Sequence, residues 1–214
     1  MVHHDDPLFR EASDSAIEIA EQISLEADVA EETEAMMMDS PMMAAVQQGN
    51  SEHVKIAEFA ASRLRGDTRI ASFSINRWDT HARQERNLRR GASALTDTIL
   101  TLRAGLGPVW DKTAVLCLTE FGRTARENGS NGTDHGTGGA MLFAGGALRG
   151  GRVLGQWPGL GDGDLYDGRD LLPTRDVRAY AAWVMRDLMG LDRATLEQAI
   201  FPGLELGPNP GLTA

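Results

Sequence analysis

The sequence predicts an α/β domain built on a mainly parallel sheet flanked by helices. Two observations carry that expectation. Segments of strand character at 68–75, 113–121 and 140–146 alternate with segments of helical period. One of them, "TAVLCLTEF" at 113–121, is almost continuously apolar, the pattern of a strand covered on both faces.

The elements follow in order. Residues 14–35 read as a helix with a ragged apolar face among many acids, and Pro41 breaks the methionine-rich run after it. Residues 51–66 make a better helix. Ser51 is placed to cap it, Val54, Ile56, Ala57, Ala60, Ala61 and Leu64 mark its buried stripe, and Gly66 is placed to end it. Ile70, Phe73 and Ile75 give "TRIASFSI" strand character. A long helix is expected over 82–104, with Leu88, Leu95, Ile99 and Leu102 on one face and "GLGP" closing it. After 113–121 comes a glycine-rich loop, then strands at 140–146 and in "GGRVLGQW". A helix over 174–189, capped by Thr174 or the turn before it, and a shorter one in "DRATLEQAI" complete the pattern.

Composition narrows the classes of function. The 214 residues carry a net charge of −10, unevenly spread. Residues 1–50 hold 12 acidic residues against Arg10, whereas 51–214 hold 19 acidic and 20 basic ones. The chain therefore divides into an acidic, partly helical segment, 1–50, and a charge-balanced α/β part, 51–214. No cluster of Lys and Arg marks a nucleic-acid footprint. No apolar run is long enough to span a membrane, and the start lacks the features of a signal peptide. Cys117 is the lone cysteine, which excludes an internal disulfide and a cysteine zinc cluster, and its apolar surroundings read as core.

Ligands of α/β sheets bind beyond the carboxyl ends of strands. Two polar clusters fall there. "WDTH" places Asp79, Thr80 and His81 just past 68–75, and "EFGRT" places Glu120, Arg123 and Thr124 at the end of 113–121, leading to Asp134 and His135 in "TDHG". Two Asp and two His make a ligand set for zinc, manganese or iron, with Glu120 as a further candidate. A pair of such ions clamps a phosphate or sulfate ester from two sides. Arg123, with Thr124 beside it, suits the anion of a small ester substrate. The plainer alternatives stay open: Asp and His are common in solvated loops, and Arg123 could pair with Glu120 or Glu127 as scaffold. Thr80 and Thr124 read as supports for the ligands before nucleophiles. Trp78 and Trp157 read as packing residues, His53 as packed or solvated, and His3 and His4 as part of a frayed terminus.

The strings "DTHARQ", "EFGRT" and "TDHGTGGAML", in that order, together with the closing "FPGL", resemble the bacterial family of domain of unknown function 1501. The resemblance spans about residues 51–204. That family is similar to the alkaline-phosphatase-like superfamily, which holds sulfatases and cofactor-independent phosphoglycerate mutases. The resemblance implies an alkaline-phosphatase-like, metal-dependent hydrolase fold. It matches Asp134 and His135 to a recurrent metal-ligand pair, and Asp79 and His81 more loosely to a second. It also implies a longer chain, whose N-terminal half holds a further metal-binding acid and any nucleophile, and export across the cytoplasmic membrane. The expectation is therefore an incomplete, C-terminal part of such a domain, with a partner chain as one source of the missing half. A non-catalytic, metal-stabilised binding or accessory domain, or a truncated product, is the alternative.

Overall fold

The computed structural model describes residues 52–214. The helix expected at 14–35, the methionine run and the Ser51 cap lie outside the described residues. The chain divides after Ile56, and the unit Ala57–Ala214 holds the site.

Helix α1, Glu52–Leu64, buries Ala57, Ala60 and Ala61, the small residues at the centre of its predicted stripe. Small residues let helix α2, Gln84–Leu106, approach closely: a Cβ added at Gly105 would lie 2.8 Å from Ala61 Cβ. These alanines, Leu102 and Leu106 form one apolar core, with Leu64, Val109, Trp110 and Val115 against it. The buried stripe of α2 runs through Gly91, Thr98, Leu102 and Leu106. It is rotated from the predicted leucine face, and Leu88 is exposed, because Gly91 is the residue that meets Trp78.

A 3-10 turn, Gly107–Lys112, leads into strand β1, Val115–Cys117. β1 pairs antiparallel with β4, Leu142–Ala144, in the register Val115–Ala144, Leu116–Phe143 and Cys117–Leu142. Between them, β2, Gly122–Arg123, pairs antiparallel with β3, His135–Gly136. The apolar run 113–121 thus yields only a short strand. Residues 68–75 and "GGRVLGQW" form no strand, having no ladder partner among the described residues. Ile70 is accordingly 64 % exposed. Cys117 is half-buried, and burial pushes its thiol up.

Helix α3, Val177–Met189, starts later than its periodicity suggests. Its cap is Asp176, whose carboxylate accepts the Arg178 N–H at 2.8 Å, and Gly190 ends it in the left-handed region at φ 69°. Ala179, Ala182 and Trp183 pack with Leu196, Leu204 and Leu206 in a second core. Trp183 Nε1 donates to the Leu206 carbonyl, so its buried N–H is satisfied. The expected last helix is present, with a π-helical stretch over Thr195–Ile200. Trp157, expected to pack, is 71 % exposed. No helix among the described residues is long and apolar enough to cross a membrane.

Candidate metal centre

The loop 124–134 is tied to the start of α2 by backbone bonds. A helix N-terminus leaves N–H groups without intrahelical partners. Here the Arg83 and Gln84 amides donate to the carbonyls of Ser130 and Asn131, at 3.2 and 2.8 Å. Gln84, last residue of "DTHARQ", adds a side-chain clamp. Its Oε1 accepts from Thr80 Oγ1 at 3.0 Å and from Thr133 Oγ1 at 2.6 Å. The Thr133 amide donates to the Thr80 carbonyl at 3.2 Å. "WDTH" and "TDHG" are thereby laid side by side, bringing His81 to Asp134, 53 residues away. The non-glycine residues with left-handed φ among those described are Arg77, Arg83, Asn131 and Asp167. The first three flank this junction, the placement expected of strain held by surrounding structure.

The side chains converge on Asp79. Its Oδ1 lies 3.1 Å from His81 Nε2, 2.9 Å from His135 Nε2 and 2.6 Å from Arg123 Nη2. One ligand atom from each of Asp79, His81 and His135 falls within 4.8 Å of the others, and all three residues are exposed. His135 stacks on Phe121 with ring centroids 3.8 Å apart, which fixes its plane. His81 has a carboxylate at each nitrogen: Asp79 at Nε2 and Asp134 Oδ1 at Nδ1, 3.1 Å away. Asp134 in turn accepts from Asn128 Nδ2 at 2.9 Å.

Asp134 therefore stands one step behind the three, on the far nitrogen of His81. Arg123 is only 20 % exposed, and it donates to the carbonyls of Trp78 and Thr133, each at 2.8 Å, as well as to Asp79. It braces Asp79 and joins both loops. Thr124 is buried, donating to the Arg126 carbonyl and accepting the Asp134 amide. Thr80 is buried against Gln84. Glu120 is exposed and outside the three-residue group.

Sequence reasoning missed Arg169 and Asp170. Asp170 is buried, bridges Thr124 and accepts from Thr137 Oγ1 at 2.9 Å. Arg169 Nε lies 2.7 Å from Asp170 Oδ1 but off the N–H axis, so Oδ1 has an ion pair and no hydrogen bond. The Arg169 carbonyl accepts the Ala125 amide, and its Nη2 donates to the His135 carbonyl at 3.2 Å. "GRD" offered one sequence cue, a charged pair following a glycine turn.

Donors hold the nearby carboxyls below their usual range. For Asp79 the main cause is the hydrogen bond from His135, followed by Arg123, and for Asp134 it is Asn128, followed by His81. For Asp170 it is Arg169, then Thr137. The sign follows from linkage. A depressed carboxyl stabilises the fold above its unfolded value, about 3.9, and that contribution is lost as pH falls through the folded value. Melting temperature is expected to fall as pH drops below about 4, with a shallower fall in Asp170→Asn, followed by circular dichroism across an acid series. An equally steep fall in the variant would contradict the assignment to Asp170.

The donor set fits a divalent ion. Ligands about 2.1 Å from one tetrahedral ion lie about 3.4 Å apart, so the 3.1 and 2.9 Å spacings from Asp79 to the two histidines would have to open by only a few tenths of an ångström to admit one. With Nδ1–H donated to Asp134, His81 would present its Nε2 lone pair on the side of Asp79 and His135, where a cation could take it.

The family model described as a protein of unknown function, DUF1501, matches residues 4–197, a span that includes most of the acidic N-terminal segment. No curated protein and no solved structure matches the chain.

Proposed function

The chain belongs to the DUF1501 family, and we propose that it forms the metal-binding part of a phosphatase- or sulfatase-like hydrolase site. Asp79, His81 and His135 would hold one divalent ion of the zinc, manganese or iron class. The observation that carries this reading is the convergence of two imidazoles and one carboxylate on an exposed point. Two histidines and one carboxylate leave coordination positions open. A bound ion would supply Lewis acidity toward an ester oxygen.

The chain's own residues prepare that point. Arg123 fixes the Asp79 carboxylate, and Phe121 fixes the plane of His135. Asp134 orients His81 from its outer nitrogen, in the manner of a carboxylate–histidine–metal relay. Asp134→Ala is expected to weaken metal binding about 10- to 100-fold without abolishing it, by titration against a competing chelator. Complete loss would make Asp134 a direct ligand, and no change would remove it from the site.

The alkaline-phosphatase-like fold and the status of a C-terminal part belong to the same proposal. Ile70, Phe73, Leu118 and Leu142 support it, being exposed apolar residues on strands or extended chain whose faces the layers of a larger fold would cover. A second reading, a metal-stabilised binding domain without catalysis, is favoured by one observation. Thr80 and Thr124, the two hydroxyls the sequence placed nearest the site, are both buried and hydrogen-bonded, so neither is available as a nucleophile. Hydrolysis of an aryl phosphate or aryl sulfate by the metal-loaded chain decides between them. Turnover lost in His135→Ala establishes the hydrolase, and metal binding without turnover sinks catalysis by this chain alone.

A further inference from the structure

We infer that Arg169 is the residue by which this site recognises an anion, and that the ligand is a phosphate- or sulfate-type oxyanion. The inference rests on the metal reading above and names the ligand class of that site.

Arginine 123 is the obvious candidate by sequence, but its guanidinium is already spent on Asp79 and two carbonyls and is largely buried. Arg169 differs on each count. Its side chain is 62 % exposed, and Nη1 has no partner among the described residues. Its inner edge is pinned by buried Asp170, and Nη2 rests on the carbonyl of the ligand residue His135. The guanidinium is close enough to Asp134 for each to feel the other's charge. An arginine held by its inner edge keeps its outer N–H groups ready at low entropic cost.

Charge sets the order of binding. Asp79, Asp134, Asp167 and Asp170 against Arg123 and Arg169 leave two net negative charges, which a divalent ion cancels. An oxyanion would then place one oxygen toward the ion and another toward Nη1. Binding of the anion should therefore require the metal.

The test titrates inorganic phosphate, and separately inorganic sulfate, into zinc-loaded protein by calorimetry, with bound zinc measured in each sample. Wild type is expected to bind one of the two anions, and Arg169→Ala to bind it about tenfold or more weakly with its zinc content unchanged. Arg126→Ala, an exposed arginine paired with Asp162, is expected to bind as wild type does. Full zinc content with equal anion affinity in wild type and Arg169→Ala overturns this inference and leaves the metal site standing. An equal loss in Arg126→Ala reduces the effect to net charge and overturns it too. Acetate binding as tightly as phosphate and sulfate overturns the ligand class. Absence of zinc from the wild type overturns the metal reading, and this inference with it. Equal melting temperatures of the zinc-free proteins exclude misfolding as the cause of a loss.

Discussion

Replacing His135 with alanine is expected to lower metal affinity by at least about 100-fold, beyond the loss typical of an outer-shell residue. Among the described residues, His135 Nε2 is one of two imidazole nitrogens facing Asp79 Oδ1, 2.9 Å away. Its removal leaves Asp79 and His81, too few protein ligands for a tight zinc-class site. The ring is exposed, so the metal-free fold should change by no more than about 1 kcal/mol. Metal binding stabilises only the folded state. At 100 times its dissociation constant an ion adds about 2.7 kcal/mol. Saturating zinc should therefore raise the melting temperature of the wild type and leave that of His135→Ala nearly unmoved. An equal rise in both proteins would place the metal elsewhere.

Gly132→Ala should be the most damaging of the glycine replacements in the loop that carries Asp134 and His135. A Cβ there would lie 2.3 Å from both the carbonyl carbon and oxygen of His81 and 2.5 Å from the Thr80 oxygen. These are backbone atoms and cannot rotate away. Relief requires parting the two loops, at the expense of the Thr133–Thr80 backbone bond and the bond from Asn128 Nδ2 to the His81 carbonyl. The expected cost is about 3 kcal/mol, at the upper end for overpacking, read from the urea midpoint. Metal affinity should fall as well, because the same loop contact sets His135 against Asp79 and Asp134 against His81. Gly129, three residues earlier, has nothing within 4 Å of an added Cβ. Gly129→Ala should stay within about 0.5 kcal/mol of wild type. Equal effects at the two positions would refute the loop-on-loop packing.

The site was more legible in the sequence than the sheet around it. Asp79, His81, Asp134 and His135 could be named because carboxylate and imidazole in short polar strings after apolar runs have few structural uses. Their division of labour could not be read. Asp134 and His135 are adjacent in sequence, yet one meets His81 Nδ1 and the other Asp79, a distinction set by the β2–β3 register. Arg123 reads as an anion hook until its carbonyl partners are known, and those lie 10 and 45 residues away. Arg169 was hidden for the opposite reason: an Arg-Asp pair in a turn resembles any surface ion pair. Strand character at 68–75 reflects real local preference, but a strand needs a partner, and none of the described residues supplies one. The helices were legible because their period and buried alanines are local properties; the start of α2 shifted where loop carbonyls take the place of a side-chain cap, and that of α3 because Asp176 caps it.

The central claim is that two imidazoles and one carboxylate of this chain share one ion. X-ray absorption at the metal edge of the zinc-loaded, desalted chain tests it most directly. The account predicts one zinc per chain, with outer-shell scattering from two imidazole rings and the remaining near neighbours all oxygen. Zinc lost on desalting, or held with no imidazole scattering, would contradict it.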